Sequence, residues 1–213
     1  MAETATVLLQ GLLVTLQITA AAAAVGLVCA FAAGLAGHAP FRVLRWMALI
    51  YVELFRGTSA LVQLFWFYFV LPFFGIDLGA MAAGIAALGL NAGAYGAEIV
   101  RGAMRAVPRG QRDAAAALNF SAWQTLRRVL LPQALLAMLP PFGNLTIELL
   151  KNSALVSLIA ITELTFAAQV ARSATLQSAY LYALVLVLYF AVALGITGVF
   201  RGLERTLKNR GAT

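Results

Sequence analysis

Three polar residues of unusual chemistry, Glu148, Lys151 and Asn152, lie together in a stretch that is otherwise apolar. On a helix, this spacing of three and four residues lets Glu148 pair with Lys151 or with Asn152. If the stretch crosses a membrane, such ionisable groups are costly and mark a functional site by default. An acid, a base and an amide could bind the ammonium and carboxylate of a zwitterionic solute. The alternative is a self-neutralised pair that only fixes the helix.

Two further amides, Asn91 and Gln63, interrupt other apolar stretches. Asn91 lies about 12 residues into its stretch, which is about 18 Å along a helix and near the middle of a hydrocarbon core about 30 Å thick. We therefore include both amides in the predicted solute site. A hydrogen bond between two helices would explain Asn91 nearly as well.

The sequence shows no pattern typical of a catalytic or metal site. It has no Gly-x-x-x-x-Gly-Lys-Ser/Thr loop for ATP, and no paired carboxylates or Ser/His arrangement in a plausible soluble site. His38 has no second metal ligand in reach and is interpreted as a solvated loop residue. We predict no catalytic residue, no metal and no cofactor in this chain.

The elements that position the polar residues are predicted to be membrane helices. Hydrophobic residues make up 62% of the chain and charged residues 11%, and several apolar runs exceed the roughly 18 residues that suggest a span. We predict an all-α membrane protein with a single domain over 1–213. Pro140 and Pro141 predict a kink or break in the fourth span. The five predicted spans cover about 7–37, 57–73, 79–103, 135–161 and 178–202.

The net charge of +7 reflects topology better than nucleic-acid binding, because the basic residues lie in loops between spans. Such loops stay in the cytoplasm. We therefore predict a bacterial cytoplasmic membrane protein with three segments on the cytoplasmic side. They are the loop with Arg42 and Arg45, the segment 105–128 and the C-terminal tail. The N-terminus is then outside. The polar stretch 162–177, with Glu163, Gln169 and Arg172, is also predicted outside, where a binding protein could dock.

The segment 101–132 is the one long polar interruption, and it holds six arginines. Its pattern predicts two short helices. Pro108 suits the first turn of one helix, and Asn119 tolerates the left-handed conformation that ends it. The second helix should begin with Ser121 as its N-cap and Gln124 as the capping-box partner. It should end before Pro132.

This segment resembles the cytoplasmic coupling motif of ABC importer permeases. That motif has a Glu-Ala-Ala triplet, a glycine about six residues on and a later Leu-Pro; here the residues are Asp113-Ala114-Ala115, Asn119 and Leu131-Pro132. An acid and a residue that tolerates positive φ thus replace the glutamate and the glycine. The resemblance implies a surface that couples to an ATPase and contains Pro108, Arg109, Asp113, Ala114, Ala115 and Asn119.

A second string, Arg56-Gly57-Thr58-Ser59, resembles the Arg-Gly-Thr-Pro motif of the same family, with Ser59 in place of the proline. The resemblance implies that Glu53 and Arg56 lie near the inner gate. Their spacing also lets them pair, and an ion pair that only anchors the helix is an equal alternative. By the same spacing, Glu98 can reach Arg101 or Arg105.

The resemblance extends over about 8–206, and strings such as NAGAYGAEIVRG resemble permeases for polar amino acids. It implies a type I (MetI-like) fold with five membrane helices and a cytoplasmic coupling helix. It also implies a second permease chain, two ATP-binding cassette subunits that bind ATP and Mg, an extracytoplasmic solute-binding protein, surrounding lipid and no nucleic acid. The strings RGTSALVQLFWFYFVLP and PPFGNLTIELLK look most like those of ectoine and hydroxyectoine importers.

Two other classes of protein stay open at this point. A stand-alone ion-coupled carrier or channel for small polar solutes would use the intramembrane charges, but the structured polar segment would then have no task. A structural membrane subunit would have no need for the costly cluster at Glu148, Lys151 and Asn152. A permease accounts for both features.

Overall fold

The computed structural model describes residues 2–37, 39 and 41–211, and all regular structure within these ranges is helical. His38, predicted to be a solvated loop residue, lies outside the described residues. Three of the helices continue as π or 3₁₀ turns: α3 over Trp66–Val70 and Leu71–Phe74, α6 over Thr125–Leu130, and α7 over Ser153–Ile159. The helices are α1 (Ala2–Ala36), α2 (Arg42–Gly57), α3 (Ala60–Phe65), α4 (Gly79–Ala106), α5 (Arg109–Ala117), α6 (Ala122–Gln124), α7 (Leu131–Asn152), α8 (Leu164–Thr175) and α9 (Ser178–Gly211).

Four described stretches are long and apolar enough to cross a membrane: Ala5–Ala36, Gly79–Ala106, Ala122–Ile159 and Ser178–Asn209. They correspond to the first, third, fourth and fifth predicted spans. The second predicted span, 57–73, differs from the structure. Its residues pass the same test only together with α2, as a helix pair bent by 105°. The all-helical membrane fold is thus confirmed, with four candidate spans, or five if the bent pair counts as one span.

The bend between α2 and α3 falls at Thr58 and Ser59, where both residues adopt extended conformations. Two extended residues in succession interrupt the helical hydrogen bonds, so the chain changes direction there. The predicted loop containing Arg42 and Arg45 is wrong, because both residues belong to α2. The apolar residues that follow them repeat at helical spacing, and this pattern extends the helix toward its N-terminus.

The closest helix pair, α1 and α4, depends on glycines of both helices. A Cβ atom added at Gly96 would lie 2.6 Å from the Cβ of Ala30, and one at Gly34 would lie 2.6 Å from the Cβ of Val100. Gly93 approaches Cys29 equally closely. In a membrane, close packing of small residues supplies much of the attraction between helices, because lipid tails are as apolar as the helices themselves.

The helix that carries Glu148 is continuous through its prolines. α7 includes Pro140 and Pro141, and the π turns that follow α6 lead directly into it. The break that was one alternative at Pro140 and Pro141 is therefore absent, the kink stays a prediction, and the predicted end before Pro132 is wrong. Pro132 lies in the first turn of α7, after wider turns that lack the usual hydrogen-bond spacing. Prolines within membrane helices are tolerated where neighbouring groups and local adjustments satisfy the freed carbonyls.

The stretch 162–177, predicted as a polar outer segment, contains the packed helix α8. Its residues Ala167 and Ala168 are buried against α1 and α9. Its N-cap is Glu163, which is 0% exposed and accepts hydrogen bonds from the backbone of Thr165 and Phe166 at 2.9 Å. Glu163 is therefore a buried helix cap, whereas Gln169 and Arg172 of the same stretch are exposed.

Glu163 also joins α8 to two membrane helices. The hydroxyl of Tyr189 on α9 donates to its carboxylate at 3.0 Å, and the hydroxyl of Thr15 on α1 lies 3.4 Å away. Burial raises the pKa of Glu163, while the hydrogen bonds from the backbone and from Tyr189 oppose the rise. A buried acid with this many partners holds three helices in register.

Two glycines of α4 provide a matched test of the close packing. A methyl group at Gly96 would meet Ala30, whereas nothing lies within 4 Å of one at Gly102. We expect Gly96→Ala to lower the free energy of unfolding by about 1–3 kcal/mol through overpacking. Gly102→Ala should leave it unchanged or raise it by up to about 1 kcal/mol. Thermal unfolding in detergent compares them, and equal melting temperatures would contradict the close approach of α1 and α4.

Candidate functional site

A polar stripe follows one exposed face of α7. Gln133, Asn144, Glu148 and Lys151 are all exposed, and their spacings of 11, four and three residues match whole turns of a helix. Polar and charged groups within a span do not face lipid without a large cost. The stripe must therefore lie against water or against another polar surface.

The predicted pairing of Glu148 with Lys151 or Asn152 is absent. The ion pairs formed within the described ranges are Arg56 with Glu98, Arg101 with Glu98, and Lys208 with Glu204. Glu148 and Lys151 are both exposed, where an ion pair between neighbours gains little. The stripe thus presents a carboxylate and an ammonium separately, and these are the two groups that complement a zwitterion.

The amides of Gln63 and Asn91 are buried and bonded to each other, with Asn91 Nδ2 3.1 Å from Gln63 Oε1. Both also donate to the carbonyl oxygen of Phe55, Gln63 at 2.8 Å and Asn91 at 3.0 Å. That carbonyl lies in the last turn of α2, where helical partners run out. The two amides therefore fix the bend against α4, as the helix-pairing alternative expects. Their contact with solute stays a prediction.

The predicted pair between Glu53 and Arg56 does not form, because Glu53 is exposed and Arg56 contacts α4 instead. The guanidinium of Arg56 lies 3.6 Å from the carboxylate of Glu98 and 5.5 Å from the centre of the Tyr95 ring. Glu98 also binds Arg101, which confirms that predicted pair. Glu98 thus ties α2 to α4 at the level assigned to the inner gate, and the gating role stays a prediction.

A cavity of about 450 Å³ lies between α1, α4, α7 and α9. Its lining is apolar, with Phe31, Phe142 and Phe200 as the largest members and Thr146 as the one hydroxyl. That hydroxyl already donates to the carbonyl of Phe142 at 2.8 Å. A zwitterion would lose its hydration there without gaining partners, so the polar stripe is the better candidate for solute contact.

The predicted left-handed residue Asn119 is confirmed. It has a φ of 54°, and its N–H donates to the carbonyl of Ala116 at 2.9 Å. The N–H of Phe120 donates to the carbonyl of Ala115 at 3.0 Å. These two bonds form the Schellman motif, which satisfies the last carbonyls of a helix. Asparagine therefore closes α5 as a glycine would.

The second predicted cap is also present. The hydroxyl of Ser121 accepts from the N–H of Gln124 at 3.3 Å, and the side chain of Gln124 accepts from the N–H of Ser121 at 2.8 Å. Pro108 occupies the N-cap of α5, one residue earlier than predicted. The segment between α4 and α7 thus has a capped end of α5 and a capped start of α6, whereas the start of α5 at Pro108 has no side-chain cap.

The predicted coupling segment, 105–128, is attached to the end of α4 by a side-chain hydrogen bond. The guanidinium of Arg112 donates to the carbonyl of Met104 at 3.0 Å, and Ala115 is buried. The other predicted coupling residues are exposed, so they are free to meet a partner, whereas Ala115 serves packing within the chain. The exposed members are Pro108, Arg109, Asp113, Ala114 and Asn119.

The family model described as binding-protein-dependent transport system inner membrane component matches residues 15–209. The chain belongs to this family. Among the curated relatives of this permease, a probable amino-acid ABC transporter permease protein (y4tF) of Sinorhizobium fredii is 47% identical over 204 residues, covering 93% of this chain and 86% of the relative. The glutamine transport system permease protein GlnP of Escherichia coli K12 is 36% identical, with coverage of 94% and 93%.

Solved structures agree with the family. A chain from the crystal structure of an amino acid ABC transporter with histidines superimposes with a TM-score of 0.89 at 34% identity, covering 97% of this permease and 96% of that chain. A chain of the MetNI methionine ABC transporter in an inward-facing conformation gives a TM-score of 0.80 at 23% identity, with coverage of 94% and 96%. The predicted MetI-like type I importer fold is confirmed.

Sequence reasoning missed two residues that the structure makes prominent. Asn144 belongs to the exposed stripe, and its spacing of four and seven residues from Glu148 and Lys151 was a usable signal. Glu163 is a buried cap, but its partners Thr15 and Tyr189 are distant in the chain. No local pattern reveals such a contact.

Asn119 provides a test of the coupling segment that requires no transport assay. Asn119→Gly should preserve the cap because glycine adopts positive φ freely. Asn119→Val should cost about 1–2 kcal/mol in the left-handed conformation. Hydrogen exchange of the α5 amides measures the difference, and we expect roughly tenfold faster exchange in Asn119→Val. Equal exchange in both variants would show that the cap does not stabilise α5.

Proposed function

We propose that this permease is the membrane-spanning subunit of an ATP-driven importer for a polar amino acid, or for a zwitterionic solute derived from one. The observation that carries the proposal is the separate presentation of Glu148 and Lys151 on the exposed face of α7, in a chain of the binding-protein-dependent family. Relatives named for transport of glutamine and of amino acids support this solute class. Family membership disfavours the stand-alone carrier or channel.

In this proposal, the solute pathway lies between two permease chains, identical or paralogous. A second chain covers the stripe and supplies the polar surroundings that an exposed carboxylate and ammonium require. Lys151 and Asn152 bind the solute carboxylate, and Glu148 and Asn144 bind its ammonium group. Gln63 and Asn91 reach the pathway only if the bend in α2 and α3 rearranges, because their amides are bonded to each other.

ATP and Mg are bound by two ATP-binding cassette subunits on the cytoplasmic side. They dock on α5 and on the large apolar side chains Leu118 and Trp123, which are 68% and 65% exposed beside it. Asp113 binds a basic group or a helix N-terminus of the ATPase. The bond from Arg112 to Met104 passes movement of α5 to α4, and the helices switch access to the site as rigid bodies.

The orientation follows from the charges. The basic start of α2 and the basic ends of α4 and α9 lie in the cytoplasm, with the N-terminus outside and the C-terminus inside. The region around α8 then faces outward, and an extracytoplasmic binding protein delivers the solute there. Glu98, Arg56 and Glu53 lie on the opposite side, near the inner gate.

The first experiment is ATP hydrolysis by the purified complex in lipid, with binding proteins loaded with glutamine, arginine or ectoine. We expect stimulation by one loaded protein and little by empty ones. Stimulation by an amino-acid-loaded protein would name the solute class, and stimulation only by the ectoine-loaded protein would assign the ectoine group suggested by the sequence strings. Absence of both a co-purifying ATPase and stimulation would contradict the importer.

Asp113 tests the coupling surface in the same assay. Asp113→Arg reverses the charge at an exposed position, and we expect it to abolish solute-stimulated hydrolysis while the complex still assembles. Asp113→Glu keeps the charge and should retain stimulation. Full stimulation in Asp113→Arg would exclude the proposed contact with the ATPase.

Lys151 tests the stripe. Lys151→Ala removes a charged donor whose hydrogen bond to a carboxylate is worth about 1.5–3 kcal/mol, so the KM for uptake should rise more than tenfold. Lys208→Ala removes an exposed lysine from the tail and should leave uptake unchanged. Normal uptake kinetics in Lys151→Ala, at equal protein levels, would rule out solute contact by this residue.

A further inference from the structure

A pocket of about 250 Å³ lies between the end of α1, the start of α2 and the inner part of α4. It is lined by Gly37, Arg45, Trp46, Leu49 and Arg101. Two arginines from different helices therefore line one pocket. The pocket is separate from the α7 stripe and from the coupling surface, and the function proposed above does not use it.

Arg101 is the more deeply buried of the two arginines that line this pocket. Its side chain is 12% exposed, and one of its terminal nitrogens donates to Glu98. Its Nε atom is buried and has no hydrogen-bond partner among the described residues. A buried donor of a charged group without a partner is costly. Gly37 makes room for this arginine, since a Cβ atom there would lie 3.1 Å from Arg101 Cδ.

The charge around the pocket is incompletely neutralised. Glu98 is shared between Arg56 and Arg101, and Arg45 takes part in none of the ion pairs within the described part of the chain. The helix α2 also begins at Phe41 without a side-chain cap, and a helix N-terminus favours nearby negative charge. These features together favour an anionic ligand.

The rim of the pocket is apolar and exposed. Trp46 is 63% exposed and Leu49 is 38% exposed, so apolar surface borders the pocket. Tryptophan is typical of the interface between headgroups and acyl chains. Basic pockets between membrane helices on the cytoplasmic side suit anionic lipid headgroups. An anion that carries its own hydrocarbon chain satisfies both parts of the lining.

We propose that this pocket binds the phosphodiester of an anionic phospholipid from the cytoplasmic leaflet. Arg45 and Arg101 donate to its non-bridging oxygens, since a guanidinium matches two phosphate oxygens at once. Trp46 and Leu49 pack against the upper part of the acyl chains. The bound lipid thereby joins α2 to α4 beside the contact between Arg56 and Glu98.

The test is native mass spectrometry of the complete importer, released from nanodiscs of phosphatidylethanolamine and phosphatidylglycerol. Arg45→Gln should weaken retention of phosphatidylglycerol about tenfold or more, the loss expected when a charged hydrogen-bond donor to the phosphate is removed. The matched control is Arg42→Gln, which removes an exposed arginine from the same helix outside the pocket. This control should retain the lipid as the unchanged protein does.

A second variant fills the pocket without changing its charge. Gly37→Val places side-chain atoms against Arg101 and should also lower retention of phosphatidylglycerol. Equal retention in Arg45→Gln and Arg42→Gln would overturn the proposal. So would displacement of the lipid by inorganic phosphate that is itself retained, because the pocket would then be a site for the free anion. Lipid retention is read without transport, so it can fail while the importer function stands.

Discussion

The close approach of α1 and α4 is the contact on which the other helices depend. Glycines such as Gly34 and Gly96 remove the side chains that would hold the two backbones apart. In lipid this contact cannot rely on the hydrophobic effect, so it depends on van der Waals packing between small groups. α2, α7 and α8 then pack on this pair, and their polar residues meet only because it is correctly placed.

The membrane divides the polar side chains of this permease into two groups. Gln63, Asn91 and Glu163 are buried, and each is bonded to backbone or side-chain partners that lie at helix ends. They form hydrogen bonds with backbone groups that lack helical partners at the bend between α2 and α3 and at the start of α8. Glu148 and Lys151 are exposed and unpaired among the described residues. The first group holds the fold, and the second must lie against water or against another polar surface.

Helix ends that depend on neighbouring residues could be predicted from the sequence, whereas contacts between residues distant in the chain could not. The left-handed Asn119 and the capping box at Ser121 follow from neighbouring residues, so the sequence was sufficient for both. The spans followed from apolar length, which lipid demands directly. The partner of Arg56 is on another helix, and Glu98 could be found only once α2 and α4 were placed together. The prolines of α7 led to a wrong helix boundary for a related reason. The helices α4 and α9, which pack against α7, are distant from these prolines in the chain.

The continuity of the helical stretch Ala122–Ile159 has a mechanical consequence. Its 38 residues extend about 57 Å at the rise of an α-helix, so one continuous helical rod joins the capped segment after α5 to the polar stripe. When such a rod tilts, each end moves in proportion to its distance from the pivot. A pivot near Ala122 therefore gives a larger displacement at Lys151 than at Ala122. The π turns at Thr125–Leu130 are the part of this rod that departs from α-helical hydrogen bonding near its first end.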